Sequence, residues 1–76
     1  MKSVMVRFPT TSAVKDFVAI AQKVDGNMDL VSGRFRIDAK SIMGIFSLDL
    51  SKPLQLQINT MDEEQTAELF RDFLCD

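Results

Sequence analysis

The sequence predicts an α+β fold, an open-faced β-sandwich in which a four-stranded antiparallel sheet carries three helices on one face. Three observations lead there. Lys2–Phe8 and Leu54–Asn59 alternate apolar and polar residues with the period of a half-buried strand. The stretches beginning near Ser12 and Thr60 repeat apolar residues every three or four positions, the period of an amphipathic helix. Between them, Ser32-Gly33 separates two further strand-like runs as a hairpin turn would.

The elements follow in order. In the first strand Val4, Val6 and Phe8 share one face and Met5 and Arg7 the other, and Pro9 ends the run. Thr10, Thr11 and Ser12 are suited to capping a helix start. The helix from about Ser12 to Val24 presents Val14, Phe17, Val18, Ala21 and Val24 to the core, with Lys15, Asp16, Gln22 and Lys23 outside. Asp25-Gly26-Asn27 is its stop signal, with Gly26 in the left-handed conformation. Met28–Val31 and Arg34–Asp38 form the hairpin, with Phe35 and Ile37 facing in and Arg34, Arg36 and Asp38 out.

Ser41–Leu48 is a short apolar helix that needs tertiary contacts to exist. After Pro53, Leu54, Leu56 and Ile58 alternate with Gln55, Gln57 and Asn59. Thr60-Met61-Asp62-Glu63 fits a capping box opening the last helix, whose buried stripe is Ala67, Phe70, Phe73 and Leu74. The order is β-α-β-β-α-β-α. Helices covering a single sheet face leave the other, with Arg7, Arg34, Arg36, Gln55 and Gln57, in water.

Composition narrows the function. Seventy-six residues make one domain, spanning 1–76, which buries only ~60% of its unfolded surface. A net charge of −2 argues against a general grip on nucleic acid and against a polybasic membrane contact. No stretch has the ~20 apolar residues of a membrane span, and Met1–Arg7 lacks the apolar run of a signal peptide, so a cytoplasmic location is expected. The one cysteine, Cys75, builds neither an internal disulfide nor a zinc site, and is read as an inert thiol. There is no histidine, hence no Ser-His or Cys-His nucleophile and no histidine metal ligand. No set of catalytic roles can be assembled, so the expectation is a non-enzyme without cofactor or metal.

One segment points to a family. Lys40-Ser41-Ile42-Met43-Gly44-Ile45-Phe46-Ser47-Leu48 resembles the Lys-Ser-Ile-Met-Gly-(apolar)-Met-Ser-Leu segment of HPr, the histidine-containing phosphocarrier protein of the bacterial sugar phosphotransferase system. The one departure is Phe46 for Met. The family's element order is the one derived above. The resemblance implies a phosphocarrier site in a Gly-Ile-His-Ala-Arg-Pro-Ala segment at the start of the first helix, where free N–H groups and the helix dipole suit a phosphoryl anion. Counting back from Ser41 lays Thr10-Thr11-Ser12-Ala13 over the His-Ala-Arg-Pro stretch, with Thr10 in place of the histidine and Ser12 in place of the arginine. A threonine hydroxyl is too weakly acidic to take phosphate without an activating base.

The resemblance also implies that Ser41 is the serine phosphorylated by a dedicated kinase in Gram-positive members. There the seryl-phosphorylated protein acts as a corepressor in carbon catabolite control, and a branch lacking the histidine works only that way. Each of these residues has a plainer reading. Ser41 suits an N-cap whether or not a kinase uses it. Ile42, Met43 and Phe46 form either a partner-docking patch, as in the family, or core packing. Two functions therefore stand: a regulatory or adaptor protein acting through Ser41 and the adjacent patch on a kinase or transcriptional regulator of carbon metabolism, or an HPr-fold binding module with a role unrelated to sugar phosphotransfer.

Overall fold

A computed structural model describes residues 1–75. The chain runs β1 (Lys2–Val6), α1 (Thr11–Ala21), β2 (Gly26–Ser32), β3 (Phe35–Asp38), α2 (Ile42–Phe46), β4 (Leu54–Thr60), α3 (Glu63–Leu69) and a 3₁₀ turn over Arg71–Phe73. The four strands lie in the order β1-β4-β2-β3, every neighbour antiparallel. The expected element order and the antiparallel sheet are both present.

Register explains which face is covered. Val4 and Val6 pair with Leu56 and Leu54, Leu56 pairs with Leu30, and Leu30 with Ile37, so one face collects the apolar side chains. Val6, Leu30, Leu54, Leu56 and Ile58 are buried there beneath Val14, Phe17, Val18 and Ala21 of α1 and Ala67 of α3. Phe17 stands at the centre of an aromatic cluster, its ring 5.0 Å from Phe8, 4.9 Å from Phe70 and 5.5 Å from Phe73. The opposite face is polar. Arg36 Nη1 donates to Asp29 Oδ2 at 3.0 Å and Gln57 Oε1 at 2.7 Å, and Gln57 Nε2 donates to Gln55 Oε1 at 2.9 Å.

Several boundaries and side chains differ from expectation. α1 ends at Ala21, not Val24, and its C-cap Gln22 is right-handed. Gly26 is not the helix terminator; it opens β2 opposite Thr60 with φ +131°, where an added Cβ would lie 2.8 Å from Thr60 Cγ2. Ser32 remains paired, with Phe35, so the hairpin loop is Gly33-Arg34. Gly33, at φ +59°, supplies the positive φ that a two-residue loop demands at its first position.

Thr60 likewise stays in β4. α3 is capped by Asp62, whose carboxylate accepts from Gln65 N at 3.0 Å, and Thr60 Oγ1 pairs with Thr66 Oγ1 at 2.9 Å. Phe35 faces the helix side, as alternation requires, but is 62% exposed because it lies at the hairpin end of edge strand β3, past the part of the strand that α2 covers at Ile37. Leu74 is also exposed: the chain has left the helix by then, and Leu74 bridges Val6 as an extended residue.

Candidate functional site

The first helix start is a capping arrangement. Thr10 is extended, with φ −140° and ψ 164°, and its hydroxyl accepts from Ala13 N at 3.1 Å. That bond satisfies one of the donors a helix N-terminus leaves free. Thr10, Thr11, Ser12 and Lys15 are all exposed. Ser12 lies in the first turn, where it brings a hydroxyl and no positive charge.

α2 is built around a second cap. Ser41 is extended, and its hydroxyl accepts from Gly44 N at 3.2 Å. The loop before it is fixed from several sides. Ser41 N donates to Asp38 O at 3.0 Å, Gln22 Nε2 to Lys40 O at 2.9 Å, and Lys40 Nζ to Val24 O at 2.8 Å. These contacts tie the start of α2 to the C-terminal end of α1. A five-residue helix has little stability of its own, and buried Ile45 is its anchor to the core.

The three apolar residues singled out from the sequence are not equivalent. Ile42 is partly buried against the core, Met43 is 80% exposed and Phe46 is 39% exposed. Leu48, just past the helix, is partly buried. The apolar surface is therefore made chiefly by Met43 and Phe46, with Phe35 exposed on the strand beyond.

The topology decides what lies near what. α1 starts where β1 ends, the same sheet end as the β2–β3 hairpin, because Val6 pairs with Leu54 and Val31 with both Gln55 and Arg36. α2 begins at the far end, after Asp38, and returns toward the hairpin. Phe46 and Thr10 thus face the same end of the sheet. Ser41 is at the other, about 7.5 Å away along the helix axis. Beyond α2, Asp49 accepts from the Ser51 hydroxyl at 2.6 Å and the Ser51 amide at 3.1 Å, and these bonds hold its carboxyl below the usual carboxylate range. Alternation placed Phe35 on the helix side but carried no signal of its exposure, and nothing in the sequence separated Met43 from Ile42.

Among the described residues, no group of three or more Cys, Asp or Glu is placed to hold a metal ion. No described helix is long and apolar enough to cross a membrane.

The comparisons agree with this architecture. The family described as "PTS HPr component phosphorylation site" matches residues 11–74. The chain belongs to the HPr family. Its members are phosphocarrier proteins of the phosphotransferase system that work through protein partners. Among solved structures, the crystal structure of HPr-C-His from Thermoanaerobacter tengcongensis is similar, at 28% identity and a TM-score of 0.81 over 95% of this chain and 89% of that one. The four-stranded sheet with its helix layer is accordingly the HPr fold. No curated protein sequence matches the chain.

Proposed function

We propose that this chain is a cytoplasmic regulatory or adaptor member of the HPr family, one domain over 1–76, and not a histidine phosphocarrier. The observation that carries the reading is at the start of α1. Where the family's segment holds the phosphorylatable histidine and its arginine, this chain holds Thr10 and Ser12, and the Thr10 hydroxyl serves as a helix cap. Histidine is absent from the whole sequence. What is retained is Ser41 on an exposed cap and, beside it, Met43 and Phe46 with apolar surface in solvent. A phosphate on Ser41 would face the first-turn amides of α2. Ile42, Met43 and Phe46 would dock the protein partner, a kinase or a transcriptional regulator of carbon metabolism.

A second reading, a binding module on the HPr fold with no part in sugar phosphotransfer, has its own support. The Ser41 hydroxyl is accounted for by its bond to Gly44 N, so its presence requires no kinase.

Two phosphorylation reactions separate them. With phosphoenolpyruvate and enzyme I the chain is expected to take up no phosphate. With ATP and HPr kinase it is expected to gain an acid-stable phosphate, lost in Ser41→Ala. Acid-labile phosphate, or phosphate on Thr10, would overturn the first reading. Refusal of Ser41 by the kinase would favour the second.

A further inference from the structure

The sheet has two edges, β1 and β3. Over β3 lies α2, packed so closely that a Cβ on Gly44 would meet Ile37 Cγ2 at 2.6 Å. β1 has no such roof: α3 packs more on β4 than on β1 and is linked to it by the Thr60–Thr66 hydroxyl pair. Instead the chain closes this edge with its own C-terminal segment. Arg7 N donates to Phe73 O at 2.9 Å, Cys75 N donates to Met5 O at 3.0 Å, and Val6 bridges Leu74 in antiparallel sense. Phe73 is rooted in the aromatic cluster, 5.5 Å from Phe17 and 6.0 Å from Phe8, whereas Leu74 is 43% exposed. The segment has a fixed root and a lightly held tip.

We propose that residues 73–75 are a detachable strap that keeps the β1 edge from pairing with β1 of a second copy of this chain. The edge itself argues for that occupant. Ser3-Val4-Met5-Val6 is uncharged and rich in strand-forming residues, the composition that makes a bare edge adhesive. Antiparallel alternation turns the backbone groups of residues 3, 5 and 7 away from β4, and the strap takes up two of these groups, Met5 O and Arg7 N. A second β1 running antiparallel and centred on Met5 satisfies all of them. Residue 3 then lies opposite residue 7 of the other copy, and Met5 opposite Met5. On the helix side Val4 meets Val6. Arg7 faces Ser3, so no like charges are opposed. Registers shifted by two residues leave one outward residue of each copy unpaired. The strap and a second β1 require the same groups, so they exclude one another.

The test uses the chain ending at Phe73, which keeps the aromatic root and removes the tip, beside full-length Cys75→Pro, which removes the amide donor to Met5 O and is compatible with the extended Leu74 before it. Full-length Cys75→Ser keeps the strap and controls for the thiol. All are measured in reductant by sedimentation across a concentration series, with amide exchange on the associated species. Truncation and Cys75→Pro are expected to tighten self-association at least about tenfold over the full chain and to protect the Ser3 and Met5 amides. Cys75→Ser is expected to match the full chain. The proposal is overturned if the folded truncated chain associates no more than the full chain, if Cys75→Ser associates like Cys75→Pro, or if association leaves the Ser3 and Met5 amides unprotected. Should truncation unfold the chain, Cys75→Pro decides by the same criteria.

Discussion

Gly44 of α2 and Ile37 of β3 are in contact so close that a methyl group on Gly44 would lie 2.6 Å from Ile37 Cγ2, and 3.0 Å from the Ser41 hydroxyl oxygen. Helix propensity alone makes Gly→Ala favourable by about 1 kcal/mol. Here the overlap outweighs that gain, because α2 must move off the sheet or Ile37 must leave its rotamer. Gly44→Ala is expected to lower stability by about 1–3 kcal/mol. Urea titration measures it, and the cost should shrink when Ile37→Ala is combined with it. An unchanged midpoint in Gly44→Ala would mean that α2 is held less tightly than described.

Ser41 can be divided into cap and acceptor. Ser41→Ala should cost about 1 kcal/mol by loss of the bond from Gly44 N, while Ser41→Asp, itself a good cap, should cost much less. Both remove the phosphate acceptor. If Ser41→Asp melts as low as Ser41→Ala, the hydroxyl is not acting as the cap.

Phe46 and Phe17 differ in the way a docking residue differs from a core residue. Phe17 is fully buried among three other rings, and Phe17→Ala should cost about 3–5 kcal/mol. Phe46 is 39% exposed, so Phe46→Ala should cost about 1–2 kcal/mol of stability. On the proposed function it should also cost about 1–3 kcal/mol of partner binding. Thermal melts of the two variants give the comparison, and equal losses would return Phe46 to the core.

Thr10→His places an imidazole at the start of α1 while removing the cap on Ala13 N. The phosphohistidine would still lack a cation at position 12, where Ser12 stands. Little transfer from enzyme I is expected from Thr10→His alone, and more from Thr10→His combined with Ser12→Arg. Equal transfer by both would mean that a charge at position 12 is unnecessary.

Asp49 provides a pH signature. Hydrogen bonds from the Ser51 hydroxyl and amide lower its carboxyl pKa in the folded chain, so its stabilising effect is present above the unfolded-state pKa and disappears as pH falls through the folded one. Ser51→Ala should move the Asp49 titration, followed by carbonyl NMR, upward toward the ordinary carboxylate range. A titration that stays put would assign the shift to another cause.

The strands and α1 were legible because period-two and helical alternation report which side of an element is apolar. Leu54, Leu56 and Ile58, and Val14, Phe17, Val18 and Ala21, are buried as their spacing requires. Alternation does not report how far the covering layer extends, and so Phe35 was expected in the core. The capping-box pattern assigned the helix start to Thr60, but Thr60 stays in β4 opposite Gly26 and Asp62 is the cap; a local capping pattern carries no information about cross-strand pairing. Leu74 fell at helical spacing from Phe70, but α3 ends at Leu69, a 3₁₀ turn follows over Arg71–Phe73, and Leu74 bridges Val6 as an extended residue. At the site, the sequence placed Ser41 at a helix start. The unequal exposure of Ile42, Met43 and Phe46 depended on how α2 rests on β3, which no local pattern encodes.

The aromatic cluster has a consequence for the order in which the chain can fold. Phe8 and Phe17 come from the first quarter of the sequence, Phe70 and Phe73 from its last tenth, and around Phe17 the rings of Phe8 and Phe73 meet it edge to face and that of Phe70 at a tilt. A nascent chain lacking residues 70–73 has α1 with its apolar stripe facing an incomplete core. The ring cluster that seats α1 is therefore a contact between the two ends of the domain, and it closes only when both are present.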